Sequence, residues 1–148
     1  MDRRVDGFDL ARLIARLGPT GHGGHLGLRY RAHGPDWVEI MLAPDPRLMV
    51  DAESGVFASG PVVAMMDTAA SFAIWARIGA MVPQATLDLR VDYLRPSGPG
   101  RTLIGRGECY RVTRNVAFVR GQAHEGDADD PIAHVAGTFM FLDPAPRA

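Results

Sequence analysis

The feature of this sequence that most constrains its fold is a long apolar stretch that carries a single carboxylate. From 62 to 78 nearly every residue is apolar or small, which predicts a helix buried on most of its faces. Ser59 is a favoured N-cap residue, and Pro61 suits the first turn because its missing N–H would have no partner there. Asp67 lies in the middle of this helix, where an unpaired anion is costly to bury. The carboxylate therefore needs either a structural partner or a chemical function.

Two interpretations of Asp67 follow from its surroundings. In the structural one, its carboxylate bonds to Ser71, which lies four residues further on and therefore on the same helix face. In the functional one, Asp67 acts on a substrate, since carboxylates in unusual environments mark active sites in many proteins, although not in all. The apolar stretch alone leaves both interpretations open.

Composition excludes several classes of function. The chain has 148 residues, enough for one domain with its own core, and a net charge of −1 that gives no reason to expect a nucleic acid or an anionic membrane as partner. A single cysteine, Cys109, excludes an internal disulfide and a cysteine-based zinc site. His22 and His25 lack a third metal ligand nearby. The charged start, 1–6, lacks the apolar core of a signal peptide, and no window is long enough to span a membrane, so we expect a soluble, cytoplasmic protein without a metal.

Hydrophobic periodicity predicts the remaining elements. Apolar residues three and four apart predict a short helix over 10–17, stopped by Gly18 and Pro19 and followed by a loop over 21–25. Alternation of apolar and polar residues predicts a hairpin before the long helix and four strands after it. These strands are predicted at 26–31, 38–42, 86–94, 102–112, 116–124 and 132–141.

The order of these elements indicates how they pack. Consecutive hairpins favour an antiparallel sheet, and an apolar helix must be covered by other elements. The predicted class is therefore α+β, with a curved antiparallel sheet wrapped around a long central helix and a short N-terminal helix at its side. Four alanines make the helix narrow enough for the strands to approach closely. They are Ala64, Ala69, Ala70 and Ala73.

Four segments carry a resemblance to a known family. They are 60–70 with its Asp67, 86–96 with the sequence Thr-Leu-Asp-Leu-Arg-Val-Asp-Tyr-Leu-Arg-Pro, 111–118, and 136–139. In these segments the chain resembles the hotdog-fold acyl-CoA thioesterases, in particular the phenylacetate-degradation (PaaI-like) branch. The helix with its Asp and the strand ending in Leu-Arg-Pro are a fairly specific signal together, and a weak one separately. The resemblance implies a single domain over 1–148, with a helix and loop in 1–24 and a hotdog core in 25–142.

The resemblance also implies a catalytic role for four residues. Asp67 matches a general base or nucleophile that acts on a thioester, and Thr86 matches a residue that positions the water. The backbone N–H groups of Ser59 and Gly60 match the donors that polarise the thioester carbonyl. This last role has independent physical support, because the amides and dipole at a helix N-terminus stabilise a developing oxyanion.

The expected ligand and assembly come from the same resemblance. Coenzyme A enters as part of an acyl-CoA substrate, with no separate cofactor, and two subunits pair into a homodimer with sites at their interface. A dimer of dimers is compatible with the family. The candidate CoA-binding residues are Arg95, Ser97, Arg111, Arg114 and Asn115, and a guanidinium binds phosphate with two hydrogen bonds.

Two departures from the family pattern keep other functions open. The family's His-Gly-Gly falls on 58–60, where Ala58 replaces the histidine, and its usual asparagine falls on Ala52. These losses favour the alternative of a hotdog protein that binds acyl-CoA or another hydrophobic ligand without turnover. A third interpretation, a hotdog hydratase or dehydratase, usually needs an Asp/His pair, and no histidine lies near Asp67 in the sequence. The leading prediction is an enzyme, an acyl-CoA thioesterase.

Overall fold

The structure, a computed structural model, describes residues 7–143. It contains helices α1, α2 and α3, a short 3₁₀ turn, and strands β1 to β6. In chain order these are α1 (Leu10–Leu17), α2 (Gly21–Leu26), β1 (Leu28–His33), β2 (Trp37–Leu42), the 3₁₀ turn (Pro46–Leu48), α3 (Ser59–Ile78), β3 (Gln84–Tyr93), β4 (Leu103–Val112), β5 (Val116–His124) and β6 (Ala133–Phe141).

The strands form one antiparallel sheet in the order β1-β2-β4-β5-β6-β3. The predicted α+β class is confirmed, because the curved sheet packs around the long helix α3. Strand β3 directly follows α3 in the chain but lies at the far edge of the sheet, where it pairs with β6. Its other side has no neighbouring strand within 7–143, so a row of backbone N–H and C=O groups is open to pairing.

Helix α3 lies in direct contact with the middle of the sheet. Its sheet-facing side is fully buried and consists of small or apolar residues, namely Val62, Met65, Met66, Ala69, Ala70, Ala73 and Ile74. The facing strands contribute glycines. A Cβ atom placed on Gly107 would lie 2.5 Å from the backbone nitrogen of Ala70, and one on Gly105 would lie 2.9 Å from the sulfur of Met66. We call this contact between the β4 glycines and α3 the glycine seam. The predicted close approach at the alanines is confirmed.

The N-terminal region agrees with the prediction for α1 and corrects it for the next segment. Helix α1 spans 10–17 as expected, and the carboxylate of Asp9 accepts the N–H of Arg12 at 2.9 Å as an N-cap. The predicted loop over 21–25 is instead helix α2, and Leu26 ends this helix rather than starting β1. Gly27 closes α2 at φ 78°, and its N–H donates to carbonyls of the preceding turn. No helix of the described residues is long and apolar enough to cross a bilayer.

Candidate active site

The carboxylate of Asp67 lies where α3 faces the edge strand β3. Its Oδ1 accepts a hydrogen bond from Oγ1 of Thr86 at 2.7 Å, and Asp67 is half-buried while Thr86 is exposed. The alternative hydrogen bond between Ser71 and Asp67 is not found among residues 7–143, where Oγ of Ser71 instead accepts from Nε2 of Gln84 at 2.8 Å. The two residues that the resemblance assigns to one site are therefore adjacent, with Thr86 bonded to Asp67 itself, and the second carboxylate oxygen of Asp67 has no protein donor among residues 7–143.

A row of hydrogen bonds holds β3, and Val82 just before it, against α3. Residues on one helix face recur at every fourth position, and here they contact the strand in reverse order. The hydroxyl of Tyr93 donates to the carbonyl of Ser59 at 3.2 Å, Thr86 donates to Asp67, Gln84 donates to Ser71, and the indole N–H of Trp75 donates to the carbonyl of Val82 at 2.8 Å. Asp67 is the one carboxylate in this row, and its partner Thr86 lies where the pairing of β3 with β6 shifts register, between Thr86 and Asp88.

The start of α3 leaves two backbone amides available to a ligand. The first four N–H groups of a helix have no acceptor inside it, and in α3 they belong to 58–61. The N–H of Ala58 donates to the carbonyl of Leu48 at 2.9 Å, and Pro61 has no N–H. The exposed residues Ser59 and Gly60 remain, and within the described structure neither amide has a recorded acceptor. This is the local pattern that an oxyanion site requires.

The predicted N-cap of α3 is wrong by one residue. Ala58 is the N-cap, with φ −64° and ψ 156°, and it makes no side-chain capping bond, whereas Ser59 is the first helical residue. The reason is tertiary, because Met49 and Phe57 form an isolated antiparallel bridge that holds the chain extended up to Ala58. The side chain of Ser59 therefore does not satisfy the first-turn amides, which leaves them open.

The five predicted CoA-binding residues fall into two groups. Arg111, Arg114 and Asn115 lie together at the β4–β5 turn and are exposed. Arg95 and Ser97, in the loop after β3, already have protein partners.

The loop after β3 is held by an acidic residue from the β5–β6 loop. The guanidinium of Arg95 contacts Glu125 at 2.9 Å and Asp130 at 3.0 Å, and the hydrogen bond to Glu125 is the main reason why the pKa of Arg95 is raised. The other oxygen of Glu125 accepts the N–H of Gly98 at 2.5 Å. Ser97 is buried, and its Oγ accepts the N–H of Phe57 at 2.9 Å. A phosphate at Arg95 would have to compete with two carboxylates.

Sequence reasoning missed two residues that shape this region. Tyr93 lies at the end of the strand that carries the family resemblance, seven residues after Thr86. That position was the one feature of the sequence that could have indicated its contact with Ser59. Glu125 gave no signal, because an acidic residue in a turn-rich segment is normally solvated. No group of three His, Cys, Asp or Glu side chains in the described part of the chain is placed to hold a metal ion.

Comparison with known proteins decides the family. Residues 55–132, more than half of the chain, match the thioesterase superfamily model. The chain belongs to the thioesterase superfamily. The matched range contains α3 with Asp67, the whole of β3, and the β4–β5 turn. The resemblance noted from the sequence is therefore confirmed. Among proteins with curated functions, none matches this chain.

Solved structures agree with this assignment. A crystal structure of a protein from Pseudomonas aeruginosa is 36% identical, with a TM-score of 0.76 over 88% of this chain and 95% of that one. A thioesterase from Haemophilus influenzae is 22% identical, with a TM-score of 0.79 over 90% of each chain. A mutant of the phenylacetic acid degradation protein PaaI from Thermus thermophilus is 24% identical, with a TM-score of 0.68 over 80% of this chain and 96% of that one. The last two establish the shared fold.

Proposed function

We propose that this protein hydrolyses an acyl-CoA thioester to a free acid and CoA, with Asp67 as the catalytic carboxylate. The observation that carries the proposal is that α3 holds Asp67, which accepts a hydrogen bond from Thr86 of β3, and also presents two unpaired amides at its start. A thioesterase needs both a group that activates water and donors for the oxyanion. Membership of the thioesterase superfamily supports the same reaction class.

Each of these groups has a defined role in the proposed reaction. Asp67 takes a proton from water, the water oxygen attacks the thioester carbon, and the negative charge moves to the carbonyl oxygen. The N–H groups of Ser59 and Gly60 stabilise that oxyanion. The intermediate collapses, the carbon–sulfur bond breaks, and the CoA thiolate receives the proton held by Asp67. Direct attack by the Asp67 carboxylate, followed by hydrolysis of the anhydride, gives the same products.

Thr86 positions the base in this scheme. Its hydroxyl occupies Oδ1 of Asp67 and so leaves Oδ2 for the attacking water. General-base catalysis of this kind contributes about 10²–10⁴-fold to a rate, but only when the base is held at hydrogen-bond distance from the proton that it removes. The row of contacts between α3 and β3 supplies that rigidity.

A homodimer is part of the proposal. Strand β3 has an open edge, and the residues beside it include exposed apolar side chains, Leu87 on β3 and Val63 on α3. A second copy would pair with this edge and cover these side chains, and a dimer of dimers is compatible with the family resemblance. Light scattering of the purified protein measures the assembly.

For the nucleotide part of CoA we propose Arg111 and Arg114 as the phosphate contacts. Both are exposed at the β4–β5 turn, next to Asn115, and among residues 7–143 neither has a recorded ion-pair partner. Arg95 and Ser97 shape the neighbouring loop, since their polar groups bond to Glu125, Asp130 and Phe57.

One alternative function is supported by a specific observation. Ala58 and Ala52 stand where the family has a histidine and an asparagine, which favours a protein that binds acyl-CoA without hydrolysing it. The hydratase alternative has less support, because the described partner of Asp67 is Thr86 rather than a histidine.

The experiment that tests the proposal is free-thiol release from short, aromatic and long acyl-CoA substrates. Wild type is compared with Asp67→Asn, and with Asp88→Asn as a matched control that removes an exposed carboxylate from the same strand as Thr86. We expect turnover that Asp67→Asn abolishes and Asp88→Asn retains. Binding of CoA thioesters by a wild type without turnover would favour the binding protein. Turnover that survives in Asp67→Asn would contradict the assignment of the base.

A further inference from the structure

The last residue of β3 and the loop after it each form a hydrogen bond with the start of α3. The hydroxyl of Tyr93 donates to the carbonyl of Ser59 at 3.2 Å. Four residues later, Oγ of Ser97 accepts the N–H of Phe57 at 2.9 Å. These two hydrogen bonds enclose the peptide units that carry the free amides of Ser59 and Gly60. We call residues 93–97 the bracket.

The Ser97 side of the bracket is buried and closely fitted. Ser97 and Phe57 are 5% and 6% exposed, so their hydrogen bond is shielded from water. Just before Phe57, Gly55 has φ 64°, and a Cβ there would lie 3.2 Å from the Cα of Pro99, so the two chain segments are in backbone contact. The loop after β3 therefore packs directly against the chain segment that leads into α3.

Glu125 fixes the bracket from the opposite side. It receives hydrogen bonds from the N–H of Gly98 and from the guanidinium of Arg95, and its side chain is only 13% exposed. Both donors lie within two residues of Ser97. The β5–β6 loop therefore helps to fix the position of Ser97. Ser97 in turn accepts the N–H of Phe57, just before the start of α3.

The Tyr93 side of the bracket acts on one particular peptide. The carbonyl of Ser59 and the N–H of Gly60 belong to the same amide group. A hydroxyl that donates to the carbonyl polarises the amide and makes its N–H a stronger donor, because hydrogen bonds in a chain strengthen one another. Tyr93 is the last residue of β3, where its backbone pairs with Ala133 of β6 and so positions the tyrosine ring.

We infer that Tyr93 and Ser97 are positioning residues for the oxyanion donors of this protein. Tyr93 acts through the Ser59–Gly60 peptide, and Ser97 acts through the N–H of Phe57. The inference rests on the proposed thioesterase function, and it adds a part of the catalytic apparatus that lies on β3 and its loop rather than on α3. Neither residue needs to touch the substrate.

The kinetic test uses Tyr93→Phe, which removes the hydroxyl and keeps the ring, and Ser97→Ala. Because each removes one neutral hydrogen bond, we expect kcat for the preferred thioester to fall about tenfold in each, with KM changed less than about twofold. Tyr110→Phe is the matched control, since Tyr110 is a similarly exposed tyrosine on β4 and should leave kcat unchanged. A merely structural contribution would lower the melting temperature or raise KM without this selective loss of kcat.

A second measurement does not depend on turnover. Amide hydrogen exchange, followed by NMR, should become faster at Phe57 in Ser97→Ala, and the Gly60 amide proton should shift to lower frequency in Tyr93→Phe. If the wild type is active and both variants keep wild-type kcat, the inference is overturned while the thioesterase stands. If the wild type hydrolyses no thioester, the proposed function fails, and the catalytic role inferred here fails with it, whatever the amide signals show. Unchanged amide signals in an active enzyme also overturn the inference.

Discussion

The amide of Ser59 can be deleted from this protein with little disturbance to the fold. Proline is favoured at the first position of a helix, which is the position that Ser59 occupies in α3. The preceding residue, Ala58, already has φ −64° and ψ 156°, the extended conformation that a residue before proline adopts. The N–H that Ser59→Pro removes has no recorded acceptor within the described structure, so no internal hydrogen bond is lost.

The expected effect of Ser59→Pro is large on catalysis and small on stability. Removal of one oxyanion donor typically lowers kcat by about 10²–10³-fold, which corresponds to about 2.7–4 kcal/mol in the transition state. We expect kcat for thiol release to fall by about 100-fold, since the amide of Gly60 remains. The melting temperature, measured by circular dichroism, should stay close to that of the wild type. Substrate binding, read from KM, should change much less than kcat.

Ser59→Ala is the matched control for this experiment. It removes the hydroxyl and keeps the backbone N–H, and the side chain of Ser59 makes no capping bond to lose. We expect it to retain most of the wild-type kcat. A folded Ser59→Pro variant with kcat within about threefold of Ser59→Ala would refute the oxyanion role of this amide.

Three further predictions concern the core, the base and the cysteine. Gly107→Ala places a Cβ 2.5 Å from the backbone of Ala70. The free energy of unfolding, measured with urea, should therefore fall by about 1–3 kcal/mol or more, the usual cost of overpacking. Thr86→Val keeps the shape of the side chain but removes the donor to Asp67, and kcat should fall about tenfold with the melting temperature nearly unchanged. Burial raises the pKa of Cys109 to about 11, so the native protein should not react with a chromogenic disulfide reagent at about pH 8, whereas the urea-unfolded protein should react at once. The unfolded thiol ionises first, near its ordinary pKa, so the contribution of Cys109 to stability should decrease as the pH rises from about 9 towards 11.

Local pattern was sufficient to predict most of the fold. The long helix, the hairpin before it and the last strands follow from periodicity alone, and β5 spans 116–124 as predicted. The apolar length of α3 and the alanines on its sheet-facing side also predicted how the sheet would cover it. The family resemblance placed Asp67 and Thr86 in one site, with Thr86 positioning the water, but it did not predict the hydrogen bond between them.

The features that sequence reasoning missed depend on contacts between distant segments. Ser59 has the better capping side chain, but the bridge between Met49 and Phe57 holds the chain so that the cap falls one residue earlier, at Ala58. The segment 21–25, predicted as a loop, belongs to helix α2, which Gly27 ends in a left-handed conformation. The glycines inside this segment are typical of loops, so they hid the helix from a sequence-based prediction. The hydrogen bond between Gly98 and Glu125 joins two loops. Both loop sequences are polar, which indicates exposure to solvent and not a contact between them.

The glycine seam between β4 and α3 also limits where the proposed substrate can lie. No acyl chain can enter between Gly107 and Ala70, where even a methyl group lacks room. The acyl group of the proposed substrate therefore contacts α3 away from the seam. Substitutions at Gly107 should accordingly change the stability of the protein and leave its preference among acyl chains unaltered.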